Sequence, residues 1–193
     1  MSEVLELRDG DAWETWLAQH HDTAGEAWLR IAKKGSGLEL LSISDALDGA
    51  LCFGWIDGQR KGLDGVSFLQ RYCPRRARSS WSQVNVGKVA ALLAAGRMRP
   101  AGLAQVDAAR ADGRWAAAYE RQRTATVPDD LRAALDADPL AGAAFHALGR
   151  TERYAVMLPV LKATTPEARA LVVRRQVERL AAYDGPTQSS RDG

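Results

Sequence analysis

The residues best suited to chemistry in this sequence are six cations that lie close together near its middle. Between Gln59 and Ser82 the chain carries six basic residues against one acid, Asp64, a local charge of +5 in a protein whose net charge is +2. The basic residues are Arg60, Lys61, Arg71, Arg75, Arg76 and Arg78. Because Arg binds planar oxyanions through two parallel hydrogen bonds, this density of guanidinium groups predicts an anion site.

The last part of this stretch, residues 75–82, adds hydroxyl groups to the arginines at the predicted start of a helix, where free N–H groups and the helix dipole favour negative charge. In this hypothesis Arg75, Arg76 and Arg78 hold the charge of a ligand, and a tryptophan stacks on its ring. The hydrogen-bonding partners would be Ser79, Ser82 and Asn85, and the tryptophan would be Trp55 or Trp81. The alternative is a solvated Arg-rich loop with two core tryptophans, in which Ser79 or Ser80 is a helix N-cap.

Two residues that precede these arginines in the sequence, Cys52 and Asp57, are candidates for catalysis. Asp57, between Ile56 and a glycine, could be a buried acid that pairs with one of the arginines, or a general base. Cys52 ends an apolar helix face with no His nearby to activate its thiol, so packing is the better interpretation of this residue. An enzyme at this site would therefore depend on Asp57.

The rest of the sequence excludes several classes of site. Three His and two Cys show no zinc spacing, and the P-loop, GxGxxG, GxSxG and EF-hand motifs are missing, so no metal and no cofactor is predicted. A single basic loop without an aromatic-rich sheet or a recognition helix gives weak support for nucleic acid. The arginines near the C-terminus alternate with Glu167 and Glu178, which indicates a solvated helix face.

The composition and the N-terminal residues indicate the cellular compartment of the protein. The chain is 46% hydrophobic and 26% charged, as an ordinary globular protein is. Its first residues contain acids and tryptophans where a signal peptide needs a basic start and an apolar run, and no segment approaches 18 consecutive apolar residues. Two cysteines, Cys52 and Cys73, are too few for a disulfide framework. We therefore expect a cytoplasmic protein with two free thiols.

Capping residues and hydrophobic periodicity predict the elements that position the arginines. The predicted strands cover residues 26–33, 55–61 and 67–72. The predicted helices of the same region begin at Asp11, Ser42, Trp81, Pro100 and Trp115. Helix, strand, helix, two strands and then helices indicate an α+β fold with a small antiparallel sheet and packed helices.

A change in composition at residues 124–128 predicts a linker, followed by an all-helical C-terminal module. Its helices are expected over 128–136, 139–148 and 151–162 and from Thr165 onward, with Pro159 kinking or breaking the third. The predicted division is an α+β domain over residues 1–123, a helical module over 128–183 and a disordered tail over 184–193.

The stretch over residues 48–85 resembles the hallmark of the YdeI/OmpD-associated, or bacteriocin-protection, family. The residues that carry the resemblance read ALCFGWID, followed by FLQRYCPRRARSSWSQVN. Residues 145–180 are similar to the small helical module of the family, through Lys162, the Thr165-Pro166-Glu167 segment and Arg174-Arg175. The sequence departs from the family pattern at Pro159, where the family's helix usually runs through.

This resemblance implies a role in tolerance to bacteriocins or cationic peptides, and it brings no catalytic residues with it. It favours a ligand or partner site at the basic motif, because those residues define the family. The leading hypothesis is therefore a cytoplasmic stress-tolerance protein that binds an anionic or phosphorylated small molecule. The alternatives are an enzyme that uses Asp57 in the same pocket, and a nucleic-acid-binding or regulatory protein.

Overall fold

A computed structural model of the chain describes residues 4–120 and 122–182. The chain divides into two compact units, Met1–Ala116 and Ala117–Gly193, whereas the sequence predicted a first domain that extends to residue 123. The predicted tail over residues 184–193 lies outside the described residues. No helix of the described part is long and apolar enough to cross a lipid bilayer.

The N-terminal unit contains one four-stranded sheet and four helices. The strands are β1 (Val4–Leu5), β2 (Ala27–Ala32), β3 (Trp55–Gly62) and β4 (Ser67–Pro74), in the order β1-β2-β4-β3. The helices are α1 (Gly10–His20), α2 (Ile43–Cys52), α3 (Gln83–Ala94) and α4 (Pro100–Ala111). The α+β class is confirmed. The sheet is mixed, because the short strand β1, absent from the prediction, pairs with β2 in parallel.

An aromatic cluster fills the core between α1 and the sheet. Trp13 lies 5.8 Å from Tyr72 and 6.3 Å from Trp55, measured between ring centroids, and it stacks on Trp16 at 5.3 Å. Trp13 donates its indole N–H to Ala46 O at 3.0 Å, so the polar end of this buried ring is satisfied. The cluster thus ties α1 to α2 and to both antiparallel strands β3 and β4.

Two local predictions in this unit need correction. The N-cap of α1 is Asp9, whose carboxylate accepts from Ala12 N at 2.9 Å, and not Asp11. The helix predicted over residues 115–123 is wrong: the described residues there form turns and extended chain. Trp115 N instead donates to Ala109 O, which closes the end of α4, and the Trp115 ring packs 4.9 Å from that of Trp81.

The C-terminal unit is helical from Asp129 onward over its described residues. Its helices are α5 (Asp129–Ala137), α6 (Pro139–Ala147), α7 (Arg150–Lys162) and α8 (Pro166–Ala181). Their core contains Leu131, Leu135, Phe145, Val173 and Leu180, together with Val156, Met157 and Val160. Helix α7 continues through Pro159, so the predicted break is wrong.

Candidate functional site

Three of the six cations in the basic stretch have partners on the sheet. Arg71 pairs with Glu26, with 2.5 Å between Nε and Oε2. The Arg60 guanidinium lies 4.4 Å from the ring centroid of Phe68 and donates its Nε–H to Gln70 Oε1. Lys61 Nζ lies 4.3 Å from the ring centroid of Trp28. The local charge of +5 therefore does not converge on one site.

Arg75 is built into the interior. Only 6% of the residue is exposed, and its guanidinium lies 3.6 Å from the ring centroid of Trp81, which is 1% exposed. Arg75 Nη1 donates to Ser80 O at 3.3 Å, and the Arg75 main-chain N–H donates to Gly54 O at 3.0 Å. This buried Arg75–Trp81 stack anchors both ends of the segment that we call the basic loop, residues 75–82.

The middle of the basic loop is held by Ser79 and Arg114. Ser79 Oγ accepts from Arg76 N at 3.1 Å, and Ser79 O accepts from Arg114 Nη1 at 2.8 Å. Arg114 is buried and pairs with Asp112 at 2.7 Å, a bond that lowers the pKa of that carboxyl. Sequence reasoning missed Arg114, because nothing in its local pattern links it to a loop 35 residues away.

Arg76 and Arg78 project from the basic loop into solvent. Within the part of the chain that the structure describes, neither guanidinium has a carboxylate within ion-pair distance. Ser82 is the N-cap of α3, with its Oγ 3.2 Å from the N–H of the buried Asn85. The first turn of α3 carries no acid, so its N-terminus keeps its partial positive charge. The basic loop is thus held in place by buried contacts and exposes the guanidinium groups of Arg76 and Arg78 to solvent.

Trp55 and Trp81 are buried, and Asp57 is exposed, so none of the three has the surroundings that the sequence predicted. Trp55 is 1% exposed and donates its indole N–H to His21 O at 3.0 Å, so, like Trp81, it presents no open face for stacking on a ligand. Asp57 is exposed on β3 opposite Tyr72, which corrects the expectation of a buried acid paired with an arginine. Burial, and secondarily the charge of Asp57, raise the pKa of the Tyr72 hydroxyl.

A cavity of about 690 Å³ in the N-terminal unit was not foreseen from the sequence. It lies where α1 faces the start of α4, and its charged lining residues include Glu14, which pairs with Arg97 at 2.5 Å, and Arg99. Its full lining is Asp11, Glu14, Thr15, Ala18, His21, Phe53, Arg99, Pro100 and Ala101. These residues come from three separate segments with unremarkable local patterns, so the sequence offered no signal for their convergence.

Cys52, near this cavity, is buried and its main-chain oxygen accepts from Arg99 N at 3.0 Å. Burial, with a smaller contribution from Glu14, raises the pKa of the Cys52 thiol to about 11. Its thiolate is therefore scarce at neutral pH, which agrees with a packing role.

Residues 5–105, slightly more than half of the chain, match a domain of unknown function (DUF8412). The chain belongs to that family. The DUF8412 part contains the basic loop and all of the sheet except Val4. Residues 124–183 match the family described as bacteriocin-protection, YdeI or OmpD-associated, which confirms that recognition for the C-terminal helices. The motif over residues 48–85 falls within the DUF8412 match. No curated protein and no solved structure matches the chain.

Proposed function

We propose that the basic loop binds an anionic, phosphorylated small molecule through Arg76 and Arg78. The observation that carries this proposal is the pair of exposed guanidinium groups without a carboxylate partner among the described residues, on a loop that buried contacts hold in place. A prearranged loop loses little conformational freedom on binding, so more of the interaction energy remains as affinity.

The neighbouring groups support the same chemistry. Arg75 contributes positive potential from behind the loop, and the start of α3 adds main-chain N–H groups with no acid in the first helical turn. A phosphate group with several acceptor oxygens would satisfy donors from both arginines. We place this function in the cytoplasm as part of the same proposal, because both cysteines are free.

Thermal melting of the Arg76→Ala/Arg78→Ala double variant, with and without inorganic phosphate or a nucleoside monophosphate, tests this proposal when it is followed by tryptophan fluorescence, because all six tryptophans lie in the N-terminal unit. Wild type is expected to melt a few degrees higher at a ligand concentration of about 100 times Kd. The double variant should melt like unliganded wild type and lose the ligand-induced rise.

Arg8→Ala is the matched control, because Arg8 is exposed in the same unit and its ion pair with Glu39 spans 3.8 Å. This control should keep the full rise. A rise that persists in the double variant, or a wild type that none of these ligands stabilises, would contradict binding at the basic loop.

A further inference from the structure

The C-terminal unit contains a second concentration of arginines, around a cavity of about 470 Å³. We call it the arginine cavity; it lies between the chain after residue 121 and the N-terminal half of α7. Its lining residues are Gln122, Arg123, Ala125, Val127, Leu148, Gly149, Arg150, Arg153, Tyr154 and Met157. A volume in this range suits a small organic ligand.

The charges of the arginine cavity are not neutralised by its own lining, because the described residues of that lining include no acid. Arg150 Nη2 donates to Arg123 O at 3.0 Å, and Arg153 Nη2 donates to the main-chain oxygen of His146. None of the three arginines has a carboxylate within ion-pair distance among the described residues. Glu152, on the same helix as Arg150 and Arg153, accepts a hydrogen bond from the N–H of Gly149 at 2.8 Å.

Other arginines of the same unit show that this pattern is not general there. Arg169 binds both carboxylate oxygens of Asp130, at 2.6 and 2.9 Å, and Arg174 lies 3.8 Å from Glu178. Arg169 and Arg174 of α8 therefore have carboxylate partners, whereas the hydrogen bonds of Arg150 and Arg153 go to main-chain oxygens. A carbonyl partner satisfies a donor without cancelling the positive charge.

Arg153 also has a donor without a partner. Its Nε is shielded from solvent and has no hydrogen-bond partner among the described residues, while its guanidinium lies 5.9 Å from the ring centroid of Phe145. A shielded donor that lacks an acceptor destabilises the protein until an acceptor reaches it. An oxyanion in the cavity could supply that acceptor.

The remainder of the lining is apolar. Ala125, Val127, Leu148 and Met157 form a hydrocarbon surface beside the arginines, and Tyr154 adds its ring while its hydroxyl donates to Glu120 O at 2.8 Å. Cations next to an apolar surface fit a molecule with a charged group at one end and a hydrocarbon or aromatic group at the other. Inorganic phosphate alone would leave that surface in contact with water.

We propose that the arginine cavity binds a small organic phosphate with an apolar substituent, held by Arg123, Arg150 and Arg153. The arginines bind the phosphate oxygens, and the substituent packs against Val127, Leu148 and Met157. All lining residues except Gln122 and Arg123 lie within the stretch that matches the bacteriocin-protection family. The site is separate from the basic loop and does not depend on it.

Calorimetric titration of the full chain with phenyl phosphate tests the site. To remove binding at the basic loop, the titrations are carried out in the Arg76→Ala/Arg78→Ala background. Adding Arg150→Ala and Arg153→Ala should weaken phenyl phosphate binding more than tenfold, whereas Arg175→Ala, an exposed arginine of α8 outside the cavity, should leave it unchanged. Equal affinity with and without the two cavity arginines would overturn the proposal.

Two further variants keep the test decisive. Arg150→Ala alone changes an exposed side chain, so it should weaken binding even if replacing Arg153 perturbs folding. Val127→Ser should weaken phenyl phosphate severalfold without changing the affinity for inorganic phosphate. If inorganic phosphate binds as tightly as phenyl phosphate in the starting background, the apolar part of the proposal is wrong.

Discussion

Arg75, Arg76 and Arg78 differ in what surrounds each guanidinium group, although only three positions separate the first from the last. Arg75 is packed on Trp81 and bonded to Ser80 O, whereas Arg76 and Arg78 meet solvent. A buried stacked cation contributes through packing, through its cation–π contact and through its hydrogen bonds. An exposed arginine contributes little to stability.

Replacing Arg75 with Ala should therefore lower the free energy of unfolding by about 2 kcal/mol, since a desolvated cation–π contact and a charged hydrogen bond are lost together. Replacing Arg76 with Ala should change it by less than about 0.5 kcal/mol. Urea denaturation followed by tryptophan fluorescence measures both. Equal effects of the two substitutions would show that Arg75 is not held as the structure has it.

The two cysteines should differ in reactivity. Cys52 is buried with a pKa of about 11, and Cys73 is half-buried on β4, so a thiol reagent at pH 8 should modify Cys73 quickly and Cys52 slowly in the folded protein. The denatured, unreduced protein should give two fast thiols. Rapid modification of both thiols in the folded protein would contradict the burial of Cys52.

The same burial predicts alkaline destabilisation. A thiol whose folded pKa is raised stabilises the fold below its ordinary value of 9.0, and this contribution is lost as the pH rises from 9 toward 11, because the unfolded thiol ionises first. Tyr72, whose pKa is also raised, acts in the same direction at higher pH. The melting temperature should fall above pH 9 and fall less in Cys52→Ala; a flat profile would refute the linkage.

At the scale of single residues, the sequence predicted where the arginines are concentrated but not which side chains each arginine contacts. The composition and spacing of residues 75–82 were sufficient to single out the basic loop. The burial of Arg75 depends on its packing against Trp81. The ion pair of Arg71 depends on Glu26, which is 45 residues away in the sequence. Such partners follow from strand register and helix packing, and one sequence specifies neither directly.

Among the elements, α2 and α4 pack closely against each other. A Cβ built on Gly102 would lie 2.2 Å from Cys52 O, so the two helices approach at the level of their backbones. Gly54, with φ of +75°, sits beside the same contact, where its Cβ would lie 2.8 Å from Ala101 O. The glycines thus allow the chain after α2 to turn directly against the start of α4.

Gly102→Ala should consequently destabilise the N-terminal unit by about 2–4 kcal/mol, because backbone must move to admit the methyl group. Gly87→Ala, also within a helix, is the matched control: its Cβ would meet nothing within 4 Å, so better helix propensity should stabilise the protein by about 0.5–1 kcal/mol. Opposite signs in denaturant midpoints support the close approach. A neutral Gly102→Ala would count against it.

Element prediction succeeded where the determining signals are local. Ser42 and Thr165 cap α2 and α8 as their sequences indicate, because each N-cap acts within three residues. The two-residue strand β1 is too short to show a period, and the helix predicted over residues 115–123 is replaced by turns from which the Trp115 ring packs against Trp81. Both misses concern tertiary packing, which selects among several apolar faces.

At the scale of the whole molecule, each unit has its own core, and the tryptophans lie in only one of the two units. All six tryptophans lie at or before residue 115 and therefore in the N-terminal unit, while the buried residues from Leu131 to Leu180 form a core of their own. Tryptophan fluorescence therefore reports on the first unit, and circular dichroism at 222 nm reports on helices of both.

Leu131→Ala, in the second core, should cost that unit about 2–5 kcal/mol because the residue is fully buried. The change should appear as an earlier loss of part of the helical signal, with the fluorescence transition unmoved. Leu140→Ala, at an exposed position of α6, is the control and should leave both probes unchanged. If Leu131→Ala shifts both transitions equally, the units unfold as one.

Each unit is also a continuous stretch of chain, and this has a consequence for biosynthesis. The ribosome delivers every strand of the sheet by residue 74 and the last helix of the first unit by residue 111, before any residue of α5 is translated. Domains generally fold as units during synthesis, with the N-terminal one first. The nascent chain can thus bury Trp13, Trp55 and Trp81 and form the basic loop before synthesis of the second unit is complete.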